Sequence, residues 1–529
     1  SQDMTWYTNI TILIFHILLG KSKSLGFTPI STQSYLPSLQ LGNTRRLFRL
    51  RSSSDDNVVS KRTRFWKALP RMDSLDRRIL RTAIPTMINM AAVPLVNAVD
   101  TFWVGRLGKV LNLAGQAAAN NAFFTLYFLV SFLPTLTAPK VAEAIVQSSN
   151  DDRHVARERV SEALFLSILF GGLGTILLVA FPRVVLRWIL PSHGAAFDYA
   201  VPYLRWRAIS LVPALVAATG FAAYRGLLDT ITPLRVSLVT NACNLVLDPI
   251  LMYSCRMGFM GAALATSLSE GCAGIIYLFL LAKQRLIPRN LHKIFSQPPS
   301  WANLVPLLQG GASVLARQAA ITLAVIAAAR RAHAMDSTGV AAAAYGIVMS
   351  TYSLGIVIHV AIQSTTAAWI SATRAGMDMN DPEDAARSVG DRLFAWGILF
   401  GSMMGAIQYI TLPFWVPVFS TLTEVQDAVR APAIISSIIH VINGVTFPGE
   451  GVMLGLGCFR DLAVITLAGA GLLLALLSTP LGYSLEGIMV ALAIFNAIQG
   501  ISVLMHYLWF GPLAKKPKSK RDRKVKIDI

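Results

Sequence analysis

Four acidic side chains interrupt stretches of this chain that are otherwise apolar: Asp100, Asp248, Glu270 and Glu450. If those stretches cross a bilayer, each charge costs about 2.5–3.5 kcal/mol on insertion scales, so an acid there needs a reason. In "VPLVNAVDTFWVGRLG", Asp100 follows Pro94 by six residues, so the helix is expected to bend beneath its acid. In "NACNLVLDP", Asn244 and Asp248 are one helical turn apart and share a face, and Pro249 breaks the backbone ladder just after them. In "GAALATSLSEG", Thr266 and Glu270 share a face in the same way. A carboxyl with amide and hydroxyl neighbours in a dry cavity can carry a proton near neutrality, as a proton relay requires. With enough oxygens the same groups could hold Na⁺, since hard cations take oxygen ligands.

Plainer readings compete. Glu270 could be buried beside a polar partner, and Asp100 could lie at the membrane interface close to Arg106. Glu450 sits in "TFPGEGVML", where Pro448, Gly449 and Gly451 suggest a broken helix or a span end. Arg317, in "GASVLARQAAITLAV", reads as the one cation well inside an expected span. It could pair with an intramembrane acid or hold an anionic substrate group, as guanidinium does well. Asn97, Gln318 and His359 complete the candidates for a substrate cavity, although His359 also suits an ordinary polar core.

The elements that position these residues follow from composition. Of 529 residues 54% are hydrophobic and only 14% charged, with mean hydropathy +0.54, whereas a soluble domain is about one-quarter charged. Twelve stretches reach the ~20 apolar residues that a spanning helix needs: 79–104, 113–136, 161–181, 199–221, 235–254, 259–282, 303–329, 342–366, 389–412, 430–455, 461–480 and 485–510. Period-2 alternation is absent, which argues against a membrane barrel. The expected fold is an all-α polytopic membrane protein of twelve transmembrane helices.

The halves repeat. "AYRGLLDTITPLRVSLVTN" and "MLGLGCFRDLAVITLAGAG" each run from a Gly-rich helix end through a short loop with one acid, Asp229 or Asp461, into a new apolar helix. Repeated halves with a site between them are a transporter signature. The expected division is an N-lobe over 79–282, an inter-lobe loop over 283–302 and a C-lobe over 303–510, two six-helix lobes related by a pseudo-two-fold repeat.

Charge is concentrated at the ends. Residues 1–78 carry 13 Lys/Arg against 5 Asp/Glu, and the tail 511–529 carries 8 against 2, which accounts for most of the net +19. Beside twelve spans, "AKKPKSKRDRKVK" reads as a juxtamembrane tail touching anionic lipid, and no nucleic-acid partner is expected. The loops after spans 2, 4 and 6 are richer in Lys/Arg (Lys140, Arg153, Arg157, Arg225, Lys283) than those on the other side (Arg106, Arg183, Arg256), so both termini are expected on the cytosolic or stromal side. Cys243, Cys255, Cys272 and Cys458 form no C-x-x-C pair and read as small apolar packing residues.

Residues 1–78 read as a targeting presequence and basic linker. A signal-like apolar run covers 5–20. A Ser-, Thr- and Arg-rich transit-like segment covers 21–54, with no acid until Asp55. With Phe27 at the junction it resembles the bipartite plastid presequence of algae with complex plastids. That implies a plastid envelope; an extra anchor and a plasma or vacuolar membrane is the alternative.

Residues 203–270 resemble the multidrug and toxic compound extrusion (MATE) family, through "RGLLDTITP" and "NLVLDPIL…GAALAT"; "PLVNAVDTFWVGRLG" resembles the family's first helix. The likeness covers about residues 72–510. It is strongest to the branch with bacterial DNA-damage-inducible protein F and plant plastid-envelope members. It implies two six-helix lobes, a monomer, and antiport driven by H⁺ or Na⁺ without a resident cofactor. It also implies an N-lobe cation site of an Asp on helix 1, an Asn and an Asp on helix 5 and a Thr on helix 6, which fall here on Asp100, Asn244, Asp248 and Thr266. Another branch carries acids on helices 7 and 8. This chain offers Arg317, Gln318 and the acid-free "STYSLGIVIHVAIQS" there, which argues against a C-lobe cation site.

The expected function is therefore not enzymatic. It is a secondary active antiporter that exports a small organic compound, an organic cation or an aromatic or carboxylate metabolite. The alternatives are a flippase for lipid-linked precursors, for which only Arg317 speaks, an intramembrane prenyl-type transferase, whose acidic motif would have to be "DMNDPED", and a transporter-like receptor or scaffold.

Overall fold

A computed structural model describes residues 69–514, except 109, 148–152, 190–195, 289, 291–293, 295–300, 336–337 and 377–381. Residues 1–68, all but four residues of the C-terminal tail, and most of "DMNDPED" lie outside the described residues, while 74–78, expected as linker, form the first turn of the first helix. The described residues are almost entirely helical. The N-lobe holds α1 (Ser74–Gly105), α2 (Val110–Val130), α3 (Phe132–Gln147), α4 (His154–Ala180), α5 (Pro182–Ile189), α6 (Ala196–Ala208), α7 (Leu211–Gly226), α8 (Ile231–Pro249) and α9 (Phe259–Lys283). The C-lobe holds α10 (Trp301–His333), α11 (Val340–Arg374), α12 (Pro382–Phe419), α13 (Thr423–Gly455), α14 (Phe459–Leu477) and α15 (Leu485–Met505).

Eleven helical stretches are long and apolar enough to cross a membrane, and a twelfth span is made by Phe197–Ala208 and Leu211–Gly226, bent by 50°. Every span expected from sequence is present. Span two is longer than the apolar run suggests: α2 and α3 together cross over 111–146, so Lys140 is on a helix rather than in a loop. Glu450 does not mark a broken helix. Pro448 lies inside α13, which runs unbroken from Thr423 to Gly455.

Close approach of helices follows from small residues. Gly397, Gly401 and Gly405 recur every fourth residue on α12 and face α13. A Cβ on Gly401 would fall 2.6 Å from the His440 carbonyl and 2.8 Å from Gly444 Cα. Membrane helices lack a hydrophobic drive to associate, so such glycine seams let backbones touch and gain dispersion contact.

The repeat is visible in backbone conformation. Leu228 (φ 58°) and Gly457 (φ 76°) are both left-handed and close the same turn in the two halves. This register matches Asp229 to Cys458 and not, as the loop sequences suggest, to Asp461. Asp229 caps its helix by accepting from the N–H groups of Ile231 and Thr232. Cys458 occupies the N-cap of α14 without a side-chain cap. Asp461 is left over in the first turn.

The lobes are latched at the N-terminal end of α1. Asp73 caps that helix, accepting from Leu75 and Asp76 N–H at 3.0 Å. Fully buried Asp76 takes Arg392 Nη1 at 2.8 Å and Trp396 Nε1 at 2.8 Å, while Arg392 Nη2 reaches Asp73 at 3.1 Å. Nearly two turns onward, Trp369 Nε1 donates to Thr82 Oγ1 at 2.9 Å. Leu75 and Ile79 pack with Trp369, Leu393 and Trp396, and Ala83 and Met87 with Ala361 and Ile362. By contrast Leu95, Asn97 and Phe102, toward the other end of α1, are exposed.

Removing one partner of a buried ion pair strands the other charge. Asp76→Ala should therefore cost about 3–5 kcal/mol, read as a lower thermal midpoint in detergent. Asp73 adds a pH dependence. Burial raises its carboxyl, but the Asp76 N–H and the Arg392 guanidinium outweigh that and hold it below its ordinary 3.8. Its contribution is present above 3.8 and lost as pH falls through the lower folded value. Asp73→Asn should flatten the acid limb of a stability–pH curve, and an unchanged limb would refute this.

Candidate functional site

The N-lobe site is assembled by three helices. α1 supplies Asp100, α8 supplies Asn244 and Asp248, and α9 supplies Thr266. Pro249, with no N–H to donate, ends α8 immediately after Asp248, and the chain continues as a π-turn over Ile250–Ser254. Such bulges recur at functional sites because they re-aim the side chains before them.

Asp100 is 4% exposed, Asn244 2% and Asp248 fully buried, which places Asp100 in the core and not at an interface. Thr266 Oγ1 is 3.1 Å from Asp100 Oδ2 and 2.9 Å from the Ala262 carbonyl, so its single proton serves one of them at a time. Asn244 Nδ2 donates to Thr266 Oγ1 at 3.4 Å. The Asp100 and Asp248 carboxyls are within hydrogen-bonding reach of each other. Both oxygens of Asp248, Asp100 Oδ1 and Asn244 Oδ1 find no donor among the described residues. Two carboxyls so placed can bond only if one carries a proton.

Sequence reasoning missed the cation beside this site. Arg207, at the bend between α6 and α7, is 4% exposed and forms a two-pronged pair with Glu270 at 2.7 and 2.9 Å. Its guanidinium also lies over the Phe123 ring at 3.8 Å and within electrostatic reach of Asp100. Arg317 is therefore not the lone cation inside a span. The signal was available: "YLRWRAIS" puts Arg205 and Arg207 inside span four, and Glu270 needed a partner.

The C-lobe candidates form a second, separate network. Arg317 Nη2 and Gln363 Nε2 both reach Glu450 Oε2 at 2.5 Å. Gln318, next to Arg317 in sequence, is half-buried, and Asn97 stands exposed on α1. His359 does not line a cavity: it is fully buried, 3.2 Å from His440, which in turn meets Gln408 Oε1 at 2.9 Å. Gln408 Nε2 continues the chain to Ser436. Cys255 and Cys272 are exposed rather than packed.

Two latched six-helix lobes with buried, paired charges inside the spans define a secondary-transporter architecture. The MatE family model matches residues 85–250, which contain Asp100, Asn244 and Asp248. Protein DETOXIFICATION 44, chloroplastic, of Arabidopsis thaliana is 25% identical over 448 residues, covering 81% of this chain and 82% of its own length. DNA damage-inducible protein F of Escherichia coli is 28% identical over 212 residues, 40% of this chain and 45% of its own. The solved structure of a mutant of the Vibrio cholerae MATE transporter VcmN shares the fold, with TM-score 0.69 at 19% identity over 82% of this chain and 96% of that one. This chain is a multi-pass membrane protein similar over most of its length to MATE-type transporters, which are not enzymes.

The C-lobe pair gives a clean stability test. Arg317→Met alone leaves Glu450 as an unpaired buried charge and should cost about 3–5 kcal/mol, whereas Arg317→Met with Glu450→Leu should recover most of it. Equal melting losses in the single and double variants would show that the ion pair is not what Arg317 is there for.

Proposed function

We propose that this chain exports a small organic compound in exchange for H⁺, with Asp100 and Asp248 as the coupling site. The observation that carries the reading is the pair itself: two buried acids from different helices, α1 and α8, whose only mutual bond needs a proton. Losing that proton sets two negative charges against each other in a dry interior, which drives the helices apart or draws in a cation. Taking it up lets them close. Thr266 and Asn244 orient the carboxyls, and Pro94, inside α1, gives that helix a place to bend. Because α1 also carries Asp76, a bend at Pro94 is mechanically linked to the latch between the lobes.

Na⁺ is a second reading with its own support. The four oxygens without donors are hard ligands converging on one buried place. The substrate class is left as an organic cation or an aromatic or carboxylate metabolite, because both further intramembrane acids, Glu270 and Glu450, are already neutralised by arginines. Residues 79–282 and 303–510 act as the moving lobes of a monomer. Both tails lie on the cytosolic or stromal side by the charge rule, and the chloroplastic naming of the Arabidopsis relative supports a plastid envelope.

Reconstitution in proteoliposomes tests the reading. A pH gradient should drive efflux of a member of a panel of organic cations and aromatic acids. Asp100→Asn and Asp248→Asn should lower that flux at least about tenfold while leaving the unfolding free energy within about 1 kcal/mol of wild type. Gradient-driven flux that survives both substitutions would overturn the site. Flux that follows Na⁺ and ignores pH would replace the coupling ion.

A further inference from the structure

A second cluster of ligand-bearing side chains lies far from the coupling site, in the C-lobe on the side that carries the tails. Cys458 and Asp461 sit at the start of α14, three residues apart and so on one face of its first turn. His506 opens the π-turn, His506–Phe510, that ends the last span. Sulfur, carboxylate oxygen and imidazole nitrogen all lie within 4.8 Å of one another, with His506 Nε2 4.0 Å from Asp461 Oδ2.

Several features show that the backbone presents these groups to a common point. The left-handed Gly457 closes the turn that brings Cys458 to the N-cap. The repeat register makes Cys458, not Asp461, the counterpart of the capping Asp229, so the Asp461 carboxylate is not used as a cap. Gly511, without a side chain, lets the chain fold back against the His506 ring: a Cβ there would fall 2.6 Å from Cε1. The His506 side chain is only 12% exposed and turns Nε2 toward Asp461, while Asp461 is 63% exposed and leaves a path from solvent. The thiol is free of any disulfide.

We propose that Cys458, Asp461 and His506 form a binding site for a divalent transition metal, Zn²⁺ by its chemistry. Thiolate, imidazole and carboxylate together suit a borderline ion and exclude Mg²⁺ or Ca²⁺, which take oxygen. Bonds of about 2.0–2.3 Å in a tetrahedron separate ligand atoms by about 3.5 Å, so the three side chains need only close by about 1 Å around the ion. The fourth position faces solvent. An ion there ties the start of α14 to the end of α15, two elements of one lobe, and is independent of the coupling chemistry. Burial holds the Cys458 thiol above its ordinary value, with Asp461 adding to that and Arg374 opposing it. The ion displaces the thiol proton as it binds.

The test uses the full chain in detergent, without a polyhistidine tag and stripped with chelator, titrated with Zn²⁺ by calorimetry and with Cd²⁺ by thiolate charge-transfer absorption. Wild type should take up one equivalent of Zn²⁺ and develop the Cd²⁺–thiolate band. Asp461→Asn, an exposed change that leaves folding intact, should weaken Zn²⁺ at least about tenfold. Cys458→Ser should abolish the band, and a variant with Cys243, Cys255 and Cys272 all changed to Ser should keep it. No uptake by wild type, or uptake unchanged in Asp461→Asn and in Cys458→Ser with His506→Ala, would overturn the site.

Discussion

An ion buried in a low-dielectric interior must find a counter-charge or give up its charge, because desolvation costs several kcal/mol per ion. That constraint organises this molecule. Asp76 meets Arg392, Glu270 meets Arg207, and Glu450 meets Arg317. Asp100 and Asp248 face each other instead, with a hydroxyl and an amide as their neighbours. The paired charges are structural ties. The acid pair differs from them in having no arginine as its ion-pair partner among the described residues.

α1 connects the two kinds of site. Its first turn holds the latch to the C-lobe, and Asp100 lies near its last turn. Two prolines, Pro85 and Pro94, remove ladder hydrogen bonds between those ends. A stiff helix would carry a displacement at Asp100 straight to the latch, whereas one interrupted by proline can absorb it locally or pivot. The latched end is packed with tryptophans and aliphatic side chains, and the other end exposes Leu95 and Phe102. The lobes are thus joined at one membrane face through contacts that burial makes strong but that a rigid rotation could break together.

The two lobes differ in how they use polar groups. In the N-lobe, Asp100 and Asp248 are left with open oxygens, while Glu270 is paired with Arg207. In the C-lobe, Glu450 receives both Arg317 and Gln363, and a chain of His359, His440, Gln408 and Ser436 is tied into the helix seam. The same repeated scaffold therefore holds its C-lobe acid in an ion pair and leaves two N-lobe acids facing each other.

The twelve spans, their order and the buried acids were legible in the sequence, because length and hydropathy decide what crosses a bilayer and an acid stands out against an apolar background, whereas the grouping of Asp100 and Asp248 with Asn244 and Thr266 was implied by the family resemblance. Which charges pair was not legible. Arg207 and Glu270 are 63 residues apart and Asp76 and Arg392 are 316 apart, and no local pattern joins them. Nor did the loop sequences reveal that Asp461 is displaced from the capping position of Asp229, since only the left-handed turns set that register. Local physics chose the helices; the folding of one helix against another decided which buried charges are neutralised and which pair of acids is left open.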